Sequence, residues 1–225
     1  EKAVDLLSQS LALQRQFGGP KEIGLAINSV AVVLQAQGKL SEAIDMYHEG
    51  LTIQRETGDQ IGLAQTLQNL GAAAIDQGDY AYAQQVSIES LALFRQLQLK
   101  WGIAYVSINL ALALLRQGSL TQARHHIMEG VRLCREIESQ DSVAECLEVL
   151  AGIEQGVGNA PLAVQLLAKA DLLRTEVGAP RQAGSEADYQ QLTAVLREQM
   201  SFDMFTTYQQ AGQTQPLENL IKDQV

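Results

Sequence analysis

Proline occurs four times in 225 residues, aromatic residues make up 5% of the chain, and no β-branched or aromatic run reaches strand length. Those absences exclude a fold built on sheets. Ala, Leu and Gln dominate instead, so the expected class is all-α. No apolar run approaches the roughly 18 residues of a membrane span, and the first residues lack signal-peptide architecture. The expected location is the cytoplasm, with no membrane partner. Basic residues are few, 16 Lys and Arg against 26 Asp and Glu, giving a formal net charge of -10. Nucleic acid and anionic membrane call for clustered cations and are excluded as direct partners. Cysteine appears only at Cys134 and Cys146, each inside a helical pattern. Two buried thiols in a reducing compartment are expected, and no disulfide framework.

Chemistry is equally sparse. No glycine pair is followed by the Lys-Ser or Lys-Thr of a phosphate loop, so an ATPase, if present, lies outside this segment. His48, His125 and His126 lack the i, i+4 pairing or Cys/His clustering of a metal site. Cys134 lies two turns from His126, but a catalytic thiol also needs a positioned base and an oxyanion donor that helical spacing does not reveal. Glu145, Glu148 and Glu154 are scattered on a helix and read as a solvated face. No catalytic residue, metal or cofactor is assigned.

What the chain does have is a period of forty residues. Alanine recurs at Ala3, Ala43, Ala83, Ala123 and Ala163, and glycine at Gly38, Gly78, Gly118 and Gly158. Small residues keep the same beat at Ser10, Gly50, Ser90, Gly130 and Ala170, large aliphatics at Val30, Leu70, Leu110 and Leu150, and arginine at Arg15, Arg55, Arg95 and Arg135. A period without slippage means one unit stacked into a helical solenoid.

The second unit shows the design. Leu63, Leu67, Leu70 and Ala74 mark one face of a helix over residues 62–77, here called helix A. Gly78 is free to take the left-handed conformation that ends it, and Asp79 can cap the next helix. Helix B then runs from about Tyr80 to Leu97. Gly71, Ala83 and Ser90 put small side chains where paired helices approach to roughly 8 Å.

The spacing of Leu70, Gly71, Gly78, Ala83 and Ser90 resembles the tetratricopeptide repeat, over approximately residues 1–180. It lacks the usual tryptophan at the start of helix A, where Ile27, Leu67, Ser107 and Leu147 stand, and the closing proline. The unit is about six residues longer than the usual one. This long form resembles the C-terminal region of bacterial signal-transduction ATPases and LuxR-type transcriptional regulators. Arg197, Met200, Phe205, Tyr208, Gly212, Leu217 and Leu220 are similar to the tail that closes such regions, with Met200 for a leucine and Tyr208 for a tryptophan. The resemblance implies a right-handed superhelix with capping helices, divided as residues 1–180 for the array (a partial repeat and four full units) and 181–225 for the caps. The caps are expected over residues 187–200, 202–211 and 217–221. Because Ala3, Ser10 and Arg15 sit at helix B positions with no helix A before them, an upstream extension is expected.

In such arrays helix A lines the concave surface, which implies where binding occurs. The candidate residues are Asn28, Gln65, Gln68, Asn69, Tyr105, Ile108, Asn109, Leu112, Arg116, Glu145 and Glu148. Asn69 and Asn109, one period apart, either hold successive peptide units of a ligand or bond a neighbouring helix. Tyr105, Ile108 and Leu112 suggest an apolar pocket. Asp76 stands where carboxylate-clamp relatives use a basic residue, which leaves Arg116 as the lone positive charge. The expected function is a protein-interaction or sensor module of a larger bacterial regulator, binding a peptide, protein or inducer on helix A. The alternative is a structural scaffold that self-associates through its N-terminal helix or packs on its own upstream ATPase domain.

Overall fold

The computed structural model describes residues 2–181 and 183–222, and among them every regular element is helical. The side chains of Lys2, Ala3 and Ala183 lie outside that description, and with them the first of the periodic alanines. The helices are α1 (Lys2–Phe17), α2 (Pro20–Ala36), α3 (Leu40–Thr57), α4 (Gln60–Gln77), α5 (Tyr80–Gln96), α6 (Lys100–Arg116), α7 (Leu120–Glu136), α8 (Gln140–Gly156), α9 (Ala160–Val177), α10 (Ala183–Glu198), α11 (Phe202–Thr214) and α12 (Leu217–Ile221). They form two compact units, Glu1–Asn109 and Leu110–Val225.

In the first unit α1 packs on α2, α2 on α3, α3 on α4 and α4 on α5. The expected helix A and helix B of the second repeat are α4 and α5, within two residues at each end. Gly78 ends α4 at φ +84°, and the N–H of Asp79 reaches back to the carbonyl of Ala74 at 2.9 Å. That closes the helix in the manner glycine permits. Asp79 then caps α5, accepting a bond from the N–H of Tyr82 at 3.0 Å. Glycines 38, 118 and 158 hold the same left-handed backbone.

The core of this unit is the periodic apolar face, with Ile27, Val30, Leu34, Tyr47, Leu51, Leu67 and Leu70 all buried. Each large aliphatic there contributes roughly 1.5–3 kcal/mol by leaving water. Small residues set the helix separation: a Cβ on Gly71 would lie 2.8 Å from Ser87 Oγ, and Ala83 is fully buried. Ser90 is small for a second reason, since its buried hydroxyl donates to the carbonyl of Ala64 at 2.7 Å. Outside, Arg15 pairs with Glu49 at 2.6 Å and Arg55 with Glu89 at 3.0 Å. These exposed pairs repeat with the period and contribute little stability.

In the second unit α7 packs on α8 and α8 on α9, and the tail folds back over them. Helix α11 lies tightly on α9, because a Cβ on Gly212 would fall 2.2 Å from the carbonyl of Gln165. Lys169 of α9 donates to the carbonyl of Gln213 at 2.9 Å. Within the tail, the Arg197 guanidinium lies 5.2 Å from the centre of the Phe205 ring, and Leu220 and Ile221 of α12 are buried. The expected caps match α10 to α12, with α10 starting four residues earlier than expected.

Candidate functional site

The eleven candidate residues fall into the two units. In the first, helix A of one repeat bonds helix A of the next. Asn69 Nδ2 donates to Asn28 Oδ1 at 3.1 Å, and Asn109 Nδ2 donates to the carbonyl of Gln68 at 3.1 Å. Each asparagine therefore bonds a neighbouring helix, one of the two roles its spacing allowed. Gln65 and Tyr105 are half-buried beside them. Ile108 corrects the expectation of an apolar groove lining: 2% exposed, it belongs to the interior, because its place on α6 turns it inward with Ala104, one helical turn away.

In the second unit the structure brings Leu112, Arg116, Glu145 and Glu148 together around a cavity of about 340 Å³. The end of α6 supplies Leu112, Leu115 and Arg116, and α8 supplies Glu145, Glu148, Val149 and Gly152. Helix α10 closes it with Asp188, Tyr189, Leu192 and Val195. Gly152 matters to the shape, because a Cβ there would meet Leu115 Cδ2 at 2.9 Å.

The charges around this cavity are mostly matched. Arg174 of α9 holds Glu148 in a fork, Nε to Oε1 at 2.7 Å and Nη2 to Oε2 at 2.9 Å. Arg181 forms an ion pair with the same carboxylate at 2.8 Å and a second with Asp171. It also lies over the Tyr189 ring, 3.7 Å from its centre, and the Tyr189 hydroxyl donates to Asp171 at 2.7 Å. Burial and that bond push the Tyr189 phenol up to about 12. Arg116, expected as the lone positive charge of the groove, pairs with Asp188 of the tail.

Glu145 is the exception. It lines the cavity and makes no hydrogen bond or ion pair among the described residues. Burial first, then the neighbouring Glu148, push its carboxyl up to about 7, with Arg174 opposing and Asp141 adding. The expected solvated acidic face is corrected here: Glu148 and Glu154 are both taken up by arginine, Arg124 holding Glu154, and Glu145 is turned into a part-buried wall.

Elsewhere the chemistry is structural. Cys134 and Cys146 are buried and free, and burial together with a bond to Cys134 pushes the Cys146 thiol well up, away from the reactive thiolate. Among the described residues no group of three or more His, Cys, Asp or Glu could hold a metal ion, and no helix is long and apolar enough to cross a membrane.

The helix pairs, the left-handed glycines and the small-residue contacts are those of one repeat family, and residues 22–96 match the tetratricopeptide repeat. Residues 22–96 carry tetratricopeptide repeats. No curated protein matches it in sequence. Among solved structures, that of BtubC (BKLC) from P. vanneervenii is similar at a TM-score of 0.71 and 16% identity, covering 99% of this chain and 91% of that one. TPR-like repeats of a protein described as a kinesin light chain from Podosopora anserina reach a TM-score of 0.59 at 19% identity, over 78% of this chain and 87% of that one. A single-substitution form of those repeats reaches 0.61 at 19% identity, over 80% and 88%. At such identities the likeness shows the fold, a tetratricopeptide solenoid.

The repeat register does not reveal that α10 closes the cavity, nor that Arg174 and Arg181 meet on Glu148. Asp188, Tyr189, Leu192 and Arg181 lie beyond the last periodic alanine, where no spacing says which helix face the tail covers. Glu148 gave the one usable signal, as an acid on helix A one turn from Glu145 that needs a partner when buried.

Proposed function

We propose that this chain is the interaction and sensor module of a larger bacterial regulatory protein, and that α8 with the end of α6 is the recognition face. Tetratricopeptide repeats are protein-interaction scaffolds, and that much follows from the repeat itself. The observation that carries the finer reading is the cavity between α6, α8 and α10, where four candidate residues meet under a helix of the tail. Its size falls at the lower end of the roughly 300–1,000 Å³ of ligand sites, so it suits an inducer or one inserted side chain better than a whole peptide backbone. A thermal-shift screen of metabolite and short-peptide pools, run on the wild type and on a cavity-filling Leu192→Trp variant of equal helicity, tests this. Hits lost in the variant support the reading, and hits that survive it place recognition elsewhere.

A second reading is self-association through α1. Leu6, Leu13 and Phe17, spaced by seven and four along one helix face, are exposed at 66%, 58% and 77%. Light scattering of the wild type against Leu13→Glu/Phe17→Glu decides: a concentration-dependent dimer abolished by the pair of charges favours assembly, and a monomer at every concentration removes it.

A further inference from the structure

The composition of the cavity wall in the second unit selects an occupant. About 340 Å³ is room for on the order of ten heavy atoms, at roughly 30 Å³ for each water-sized group. Most of the wall is apolar, from Leu112, Leu115, Val149, Leu167, Leu192 and Val195. Three carboxylates reach it. Two are already answered, Glu148 by Arg174 and Arg181, and Asp188 by Arg116. Glu145 is answered by none, and Arg174, engaged with Glu148, acts on it only at longer range.

A part-buried carboxylate facing an apolar space without a partner is unfavourable, and a group that supplies both positive charge and N–H donors relieves it. An anionic ligand meets the opposite situation, since the one guanidinium in the wall, Arg116, is neutralised by Asp188. A neutral apolar ligand covers the leucines and leaves Glu145 as it was. We propose that this cavity binds an organic cation, an ammonium or guanidinium on an apolar body, with Glu145 as its counter-ion. The proposal rests on the reading of the cavity as the recognition site and adds the chemical class of what enters it. The cation arrives either as a free amine or as the basic side chain of a partner peptide.

Calorimetric titration of the full chain at pH 8 with n-hexylamine, 1-hexanol and hexanoate tests the class. The amine, protonated at that pH, is expected to saturate one site at least tenfold more tightly than either analogue. Glu145→Gln, nearly isosteric, is expected to weaken the amine at least tenfold with helicity unchanged, whereas Glu176→Gln, the same charge change on an exposed turn of α9, leaves it as in the wild type. Hexanol or hexanoate binding as tightly as the amine, no amine binding at millimolar concentration, or an unchanged affinity in Glu145→Gln overturns the proposal. Any ligand lost in Leu192→Trp but indifferent to Glu145→Gln keeps the cavity as the recognition site and removes only the cation. Acetyl-Leu-Lys-Leu-amide separates the sources: binding tenfold tighter than hexylamine, and sensitive to Glu145→Gln, places the cation on a polypeptide, and weaker binding places it on a free amine.

Discussion

Gln98 and Gly58 occupy the same position forty residues apart and hold the same left-handed backbone, at φ +55° and +69°. Glu138 repeats it at +58° and Gly178 at +66°. Two of these four helix ends therefore carry a side chain where the conformation favours glycine, a strain of about 1–2 kcal/mol each. Gln98→Gly and Glu138→Gly are expected to stabilise the fold by roughly 0.5–1 kcal/mol apiece, after the entropy that glycine loses on folding. Urea unfolding midpoints check this, and a lower midpoint in both variants contradicts it.

The close approach of α4 and α5 predicts the reverse for enlargement. Ala83 has no exposed surface, and its carbonyl already lies 3.7 Å from a Cβ built on Gly71. Ala83→Leu is expected to destabilise by about 1–3 kcal/mol through overpacking, while an exposed Ala81→Leu stays within about 0.5 kcal/mol. Equal midpoints for the two would remove the packing role.

Arg174 and Glu148 are each only 12% exposed as side chains, so breaking their fork leaves a charge in the interior. Arg174→Met is expected to cost on the order of 3 kcal/mol, moderated by Arg181, and the double variant Arg174→Met/Glu148→Gln to recover most of that loss. Thermal unfolding of the two singles and the double gives the coupling, and strict additivity would contradict the buried pair.

Glu145 predicts a pH signature. Its carboxyl is raised to about 7 in the folded chain, from an ordinary value near 4.3, so the unfolded chain loses this proton first. The stabilising contribution is complete below the unfolded value and is lost as pH rises through the folded one, over about pH 4–7, by at most roughly 3.7 kcal/mol. Glu148 and Asp141 on α8, Arg174 on α9, Arg116 on α6 and Asp188 on α10 are the charged groups around it. Glu145→Gln is thus expected to be more stable than the wild type at pH 8 and to converge with it at pH 4. A difference that does not change with pH would show that Glu145 is not buried as an acid.

The repeat was legible in the sequence because its period acts locally. Gly78 must end a helix, Asp79 can cap the next, and Leu63, Leu67 and Leu70 must share a face, so α4 and α5 could be read within two residues. The tail helices were legible as helices from the spacing of Arg197, Met200, Phe205, Tyr208, Gly212, Leu217 and Leu220. Their placement was not, since α10 lies outside the period and nothing in its own spacing names α8 as its neighbour. The pairing of Arg116 with Asp188 spans 72 positions, whereas Arg174 reaches Glu148 within the neighbouring pair α8 and α9 and Arg181 reaches it from the segment between α9 and α10. The burial of Ile108 is not legible in its spacing, because successive residues on α6 are turned by about 100° and both faces of that helix are apolar.

A crystal structure of the chain soaked with n-hexylamine at pH 8 shows directly whether the cavity takes an organic cation against Glu145. The amine is expected between α6, α8 and α10, its nitrogen within hydrogen-bond distance of a Glu145 oxygen and its chain against Leu112 and Leu192. An amine bound elsewhere, or lying in the cavity with its nitrogen turned away from Glu145, would contradict this expectation.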